Sequence, residues 1–420
     1  MIREAVLKNG VRVVMERMEN VRSVAISVAC RAGSVYETPD EAGISHFVEH
    51  MVFKGTKKRS AGDIAKQMDA VGGSINAATS RESTRFYAKV LDEHLPIAVD
   101  VLSDMVLDPR FDEKDIELEK GVVFDEILMA ADDPDDVAMQ KLHALYYEND
   151  ALAKPVLGSR ETVGTFTQEM LFSYMKRRYT PDNLIISCAG NFDYDRLMTE
   201  IEERFSGLSG TCGESAAFGV PSGISKFEAV ERNELEQIHI NLAFPGFGFK
   251  DSGRYPLMAF NCAFGGSMSS RLFQNIRESR GLAYSVGSTP SSYMNSGYFI
   301  CYAATGIKQA ETVLELMLSE VKKARSLGIT KDELAHVKEN LKGSLLLWYE
   351  STAARSAMLS RCALENLPPV SEADLIAQTE NVTMDDIMEI LPYVLDEKRL
   401  CATFAGRDSR LMVDLIKNTL

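Results

Sequence analysis

His46 and His50 stand four residues apart, with Glu49 directly before the second histidine. On an α-helix, positions i and i+4 lie one above the other on one face. Both imidazoles can then reach a single metal ion. Glu49, three residues after His46, points to roughly the same side. Its carboxylate sits near such a metal and is free to take a proton from water. The chemistry open to this set is metal-assisted hydrolysis. Only 6 histidines occur in 420 residues, so the pair is not a by-product of a histidine-rich chain. The competing reading is a capped amphipathic helix with two histidines on its polar face.

A catalytic zinc takes three protein ligands and keeps one position for water. His94, His143, His239 and His336 are isolated and read as polar surface or structural residues. Carboxylates downstream are better candidates for a third ligand. Glu119 and Glu126 are seven apart, about two helical turns, and share a face. Glu126 lies in the apolar run Gly121-Val122-Val123-Phe124-Asp125-Glu126-Ile127-Leu128, where an unpaired charge is costly. A solvated helix face would give the same pattern, and the spacing alone does not choose.

Periodicity supplies the elements that must position these groups. Residues 11–16 and 23–31 are rich in β-branched side chains and read as strands. Thr38-Pro39-Asp40-Glu41 opens a helix that carries the histidine pair and runs to about Phe53. A second helix covers 60–71 and stops at Gly72-Gly73. Residues 74–80 and 83–90 form strands around a charged turn at Arg81-Glu82. Helices follow over 95–107, 112–129, 139–147, 167–178 and 195–205, with a strand over 183–189.

The second half repeats the first. Cys188-Ala189-Gly190 resembles Phe404-Ala405-Gly406, and Thr167-Gln168-Glu169 resembles Thr383-Met384-Asp385. Val13 and Val24 have strand counterparts near Phe227 and Ile238, all at an offset of about 215 residues. The expected domains are 1–207 and 224–420, joined by a Gly/Ser/Ala/Pro-rich linker at 208–223. The element order predicts an α+β fold of two duplicated domains, each a mostly antiparallel sheet covered on one face by helices. Positions about 215 beyond the histidine pair fall in residues 259–266, which hold no histidine. The second domain therefore has the framework without the metal ligands.

A net charge of −15 argues against nucleic acid or an anionic membrane as the main partner. Seven cysteines without a C-x-x-C read as reduced thiols of a cytoplasmic protein. No secretory signal is expected, since the N-terminus turns straight into strand-like sequence without a basic region and an apolar stretch, and no membrane span, since no apolar run approaches about 18 residues.

The H-x-x-E-H order is that of inverted zinc peptidases. The stretch HFVEHMVFKGT (46–56) resembles the pitrilysin/insulinase family of zinc metallopeptidases, and most closely its mitochondrial-processing-peptidase branch. That resemblance implies one zinc per chain, held by His46, His50 and Glu126, the last lying 76 residues after His50. It implies that Glu119 orients a ligand and that Glu49 is the general base acting on a zinc-activated water. GGSINAATSRESTRFY (72–87) is also similar, and implies that Asn76 and Ala77 pair with substrate backbone as an added strand. SMSSRLFQNIRESRGLAYSV (267–286) implies that Arg277 and Tyr284 contact the substrate or its tetrahedral intermediate. Alone, those two read as a helix charge and a strand aromatic.

The implied function is hydrolysis of peptides or unfolded segments by a zinc endopeptidase or oligopeptidase inside an enclosed chamber. The family builds that chamber from four such domains. This chain supplies two, so a homodimer, or a heterodimer with a related chain, is expected. The alternative is a non-catalytic structural subunit or a peptide-binding protein of the same fold.

Overall fold

The computed structural model describes residues 2–213 and 217–419. Met1, residues 214–216 of the expected linker, and Leu420 lie outside the described residues. Two compact units form. The first comprises Met1–Ile127, Lys154–Ala217 and Leu347–Glu372; the second comprises Leu128–Ala153, Phe218–Leu346 and Ala373–Leu420.

The first unit holds a six-stranded sheet of β1 (Ile2–Val6), β2 (Arg12–Arg17), β3 (Ser23–Cys30), β4 (Ser74–Thr79), β5 (Thr84–Leu91) and β6 (Leu184–Gly190). Its spatial order is β1-β2-β6-β3-β5-β4, antiparallel except for the β2/β6 pair. The second unit holds β7 (Lys226–Glu231), β8 (Gln237–Gly246), β9 (Ala283–Ser292), β10 (Gly297–Gly306) and β11 (Cys401–Gly406) in the order β7-β11-β8-β10-β9. Only β7/β11 is parallel there. Position by position, this is the order β2-β6-β3-β5-β4, so the duplication inferred from sequence is present in topology.

The helices of the first half are α1 (Ile44–Val52), α2 (Ala61–Ala70), α3 (Leu95–Leu107), α4 (Glu113–Asp132), α5 (Pro134–Tyr147), α6 (Arg160–Gly164), α7 (Gln168–Arg178) and α8 (Tyr194–Phe205). Those of the second are α9 (Arg254–Phe264), α10 (Ala310–Leu327), α11 (Lys331–Tyr349), α12 (Thr352–Leu364), α13 (Glu372–Glu380), α14 (Met384–Val394) and α15 (Ser409–Thr419). Thr167 and Thr383 cap α7 and α14 at equivalent positions, as their shared motif requires.

One face of the first sheet carries the core. Val24, Ile26 and Val28 of β3 and Phe86 and Ala88 of β5 pack with Phe47, Val48 and Met51 of α1 and Val99 and Leu102 of α3. Each large apolar side chain buried there contributes about 1.5–3 kcal/mol. The opposite face is covered by α12, from the second half of the chain. Its approach is close along the centre of the sheet, where β3 and β6 present small residues. Ala29 and Ala189 meet Leu359 and Ala363. Ser27 and Ser187 share hydroxyl hydrogen bonds with Ser360 at 2.9 and 2.7 Å, so no buried hydroxyl is stranded. Arg355 of α12 donates to Glu16 of β2 at 2.7 Å. Covering on both faces explains why β3 and β6 are buried almost without alternation.

The exchange is reciprocal. The equivalent helix of the first half, α5, packs on the second sheet, where Thr403 of β11 donates to the Ala138 carbonyl at 3.0 Å. Neither unit is therefore a single stretch of chain.

The repeated Ala-Gly at the ends of β6 and β11 has a steric cause. Gly190 and Gly406 adopt φ of 138° and 148°. A Cβ on Gly190 would lie 2.4 Å from the Ser23 carbonyl oxygen, and one on Gly406 would lie 2.6 Å from that of Gln237. Both neighbours are backbone and cannot rotate away. Gly190→Ala is expected to destabilise the fold by about 3 kcal/mol, measured as a lower urea midpoint. An unchanged midpoint would refute the steric account.

Candidate metal centre

The helix carrying the histidine pair is shorter than its sequence suggests. Thr38 and Glu41 do form a capping box, but over a 3-10 turn, Pro39–Glu41. Gly43, at φ 94°, then breaks the path, and α1 begins at Ile44. The start is fixed by Glu37, whose buried carboxylate accepts from the N–H groups of Gly43 at 2.8 Å and Ser45 at 2.9 Å. A carboxylate on the first N–H groups of a helix satisfies unpaired donors and complements the helix dipole. Phe47, Val48 and Met51 anchor the other side of α1 in the core. His46, Glu49 and His50 are left half-buried on its open face.

Helix α4 brings Glu126 to the two histidines. Its Oε2 lies 3.6 Å from Nε2 of His46 and 3.6 Å from Nε2 of His50. One donor atom from each of the three lies within 4.8 Å of the others. A tetrahedral zinc with bonds of about 2.0–2.2 Å needs ligand atoms about 3.3–3.6 Å apart. Two imidazole nitrogens and one carboxylate oxygen also suit zinc chemically. The residues present fit the ion.

Glu119, two turns earlier on α4, accepts from His50 Nδ1 at 2.8 Å. That proton leaves the lone pair of His50 on Nε2, facing Glu126. Lys54 pairs with the other oxygen of Glu119. Burial alone would raise the Glu119 pKa, but the His50 and Lys54 hydrogen bonds hold it below the ordinary carboxylate range. Burial beside His50 pushes His46 down to about 4, so its imidazole is neutral near pH 7. For His50, burial is outweighed by the Glu119 hydrogen bond and by the charges of Glu126, Glu119 and Glu49. Its pKa rises. Glu49 is raised by burial, a shift moderated by hydrogen bonds from Thr79. One oxygen of Glu49 is buried with no hydrogen-bond partner among the described residues.

The other sequence candidates fall into two groups. Asn76 and Ala77 lie on β4, an edge strand that, among the described residues, ladders with β5 alone. Asn76 is exposed, and its Oδ1 accepts from the Ala77 N–H at 2.8 Å. Arg277 and Tyr284 lie in the second unit and touch each other. Arg277 sits in a π-helical turn, Phe273–Glu278, and donates to the Tyr284 carbonyl at 2.7 Å. Its guanidinium lies 4.7 Å from the Tyr284 ring centre. Tyr284 is 79% exposed, so its hydroxyl is open to a ligand. Of the isolated histidines, His143 bonds Tyr298 and His239 pairs with Asp135. Sequence reasoning passed over Lys54 and Thr79. Lys54 lies in the turn just after α1 and Thr79 at the end of β4, and both reach the site only through tertiary packing.

An α+β duplication with an H-x-x-E-H helix and a carboxylate from a neighbouring helix defines a metallopeptidase. Comparison with known proteins gives the family. The profile of the insulinase family, Peptidase family M16, matches residues 12–160, and that of the Peptidase M16 inactive domain matches residues 165–341. A Bacillus subtilis protein called the uncharacterized zinc protease YmxG is 44% identical over 360 residues, covering 84% of this chain and 86% of that one. An uncharacterized zinc protease of Streptomyces coelicolor is 36% identical over 404 residues, covering 94% and 88%. Two crystal structures share the fold. A peptidase M16 inactive domain from Pseudomonas fluorescens superposes with a TM-score of 0.90 at 19% identity, over 97% of this chain and 98% of that one. A protease from Helicobacter pylori gives 0.89 at 20% identity, over 97% and 99%. The chain belongs to the insulinase family, Peptidase family M16, and its cofactor is zinc. Among the described residues no helix is long and apolar enough to cross a membrane.

Proposed function

We propose that the chain is a zinc endopeptidase or oligopeptidase that hydrolyses peptides and unfolded segments. His46, His50 and Glu126 hold the zinc. The observation that carries this reading is the convergence of both Nε2 atoms on Glu126 Oε2, each at 3.6 Å, beside a Glu49 with an unpartnered oxygen. Bound zinc supplies a Lewis acid that acidifies water and polarises the scissile carbonyl. Glu49 takes the proton of the attacking water on its free oxygen and passes it to the leaving amine. Its raised pKa suits a group that must both accept and return a proton. Glu119 fixes the orientation of the His50 ring and keeps its Nδ1 protonated. The open edge of β4 suits an added substrate strand, in which a peptide carbonyl replaces Asn76 Oδ1 on the Ala77 N–H. Arg277 and Tyr284 bind the substrate or stabilise its tetrahedral intermediate.

The purified chain should cleave a mixed set of unstructured peptides and leave a folded protein of similar length intact. It should carry about one zinc per chain. A chelator should abolish cleavage, and added zinc should restore it. A chain that holds zinc but cleaves no peptide would favour the scaffold or peptide-binding alternative.

The active form proposed is a homodimer in which Arg277 and Tyr284 of one subunit serve the zinc of the other. Glu49→Gln and Tyr284→Phe chains, each inactive alone, should then regain about a quarter of wild-type activity when mixed, through the hybrid dimers. No recovery in a confirmed hybrid would exclude that sharing.

A further inference from the structure

The second face of the first sheet holds a feature that the metal centre does not use. Along β5 the side chains alternate: Phe86, Ala88 and Val90 enter the core, while Arg85, Tyr87 and Lys89 point to the side covered by α12. A cavity of about 320 Å³ lies there, walled by Ala25, Ala354 and Ala357 and by the rings of Tyr87 and Trp348. The small alanines leave it open. Arg85 is half-buried in it, and its side chain makes no ion pair or hydrogen bond among the described residues; its guanidinium rests 4.3 Å from the Tyr87 ring centre. No Asp or Glu is among the lining residues. Lys89, exposed at the rim, adds a second positive charge. Desolvation depresses the Arg85 pKa without a compensating carboxylate. An uncompensated guanidinium in a partly dry cleft has already lost hydration, so a matching anion is bound at a smaller further cost.

We propose that this cavity is a binding site for a carboxylate carried on an aromatic or apolar group. Arg85 grips the carboxylate through its planar fork, Lys89 adds attraction at the mouth, and Tyr87 and Trp348 flank the apolar part. A peptide C-terminus and a small free acid share this chemistry. A bare inorganic anion would leave the aromatic walls unfilled. None of these residues belongs to the metal centre.

Trp348 is the single tryptophan of the chain, so its emission reports on this site alone. Titration of the full-length protein with N-acetylphenylalanine should give a saturable change in Trp348 fluorescence. N-acetylphenylalaninamide, of the same shape without the charge, should bind at least about tenfold more weakly. Arg85→Gln should weaken binding of the acid at least about tenfold, and Ala357→Leu should block the cavity and abolish it. Circular dichroism would verify that each variant folds. Acid and amide are also compared on the wild type, so misfolding of a variant does not remove the test. Tighter binding of acetyl-Ala-Ala-Phe, its integrity confirmed by mass spectrometry, would assign a peptide C-terminus; equal or weaker binding would assign a small free acid. No saturable signal at about millimolar ligand, equal binding of acid and amide, or an unaffected Arg85→Gln would each overturn the proposal.

Discussion

A Glu49→Gln chain is expected to hold zinc at wild-type stoichiometry and to turn over peptides roughly a thousandfold more slowly. The amide keeps the size of the side chain and can still meet Thr79, the contact that holds Glu49 on α1. It cannot take a proton. Glu49 is not among the three groups that converge as metal donors, so stoichiometry should not follow activity. Separating the two requires metal analysis on the same preparation used for kinetics. If zinc is retained and cleavage stays within a few-fold of wild type, the proton is moved by another group and the assignment fails. If zinc is lost together with activity, Glu49 acts on the metal rather than on water.

Helix α4 offers the second contrast, between two glutamates on one face. Glu126→Ala should strip the site of zinc, because two imidazoles alone leave half the coordination to solvent. Glu119→Gln should retain the ion with affinity lowered by about 10–100-fold, the usual effect of removing a carboxylate behind a histidine ligand. The asymmetry follows from geometry. Glu126 Oε2 faces both Nε2 atoms, whereas Glu119 reaches only the far nitrogen of His50. Glu119→Gln also leaves Lys54 beside His50 without its counter-charge, which adds to the loss. Competition against a chromogenic chelator reads both variants on one scale. Equal losses in the two variants would mean that the helix, rather than either carboxylate, had been disturbed.

Much of this site could be read from the chain because its chemistry is local. The histidine pair and Glu49 are one helical turn, and a turn is written in consecutive residues. The link to α4 was different in kind. Spacing showed that Glu119 and Glu126 share a face, but only the family resemblance singled out Glu126, and only packing brings α4 beside α1. The start of α1 was misplaced because Thr38 to Glu41 is a sound capping box whose turn is cut short by Gly43. The true anchor, Glu37, caps from outside the usual position. The duplication was legible through Gly190 and Gly406, where the backbone admits no side chain. The exchange of α5 and α12 was not. The buried face of α5 is mainly apolar and that of α12 mixes serines and an arginine with a few apolar residues, and nothing in either pattern says which sheet it will meet. Arg85 was equally silent, since a lone arginine on a strand looks solvated until its surroundings are known.

That exchange sets a schedule for the protein's birth. The first sheet is complete in sequence by Gly190, yet the helix that closes its serine- and alanine-lined face begins only at Thr352. A chain emerging from the ribosome must carry that face open while more than 150 further residues are made. Its hydroxyls, Ser27 and Ser187, can use water in the interval, whereas an apolar face would invite aggregation. The hydroxyls on that face thus tolerate waiting beside its few apolar residues, and the first sheet is closed only once residues 352–364 have been translated.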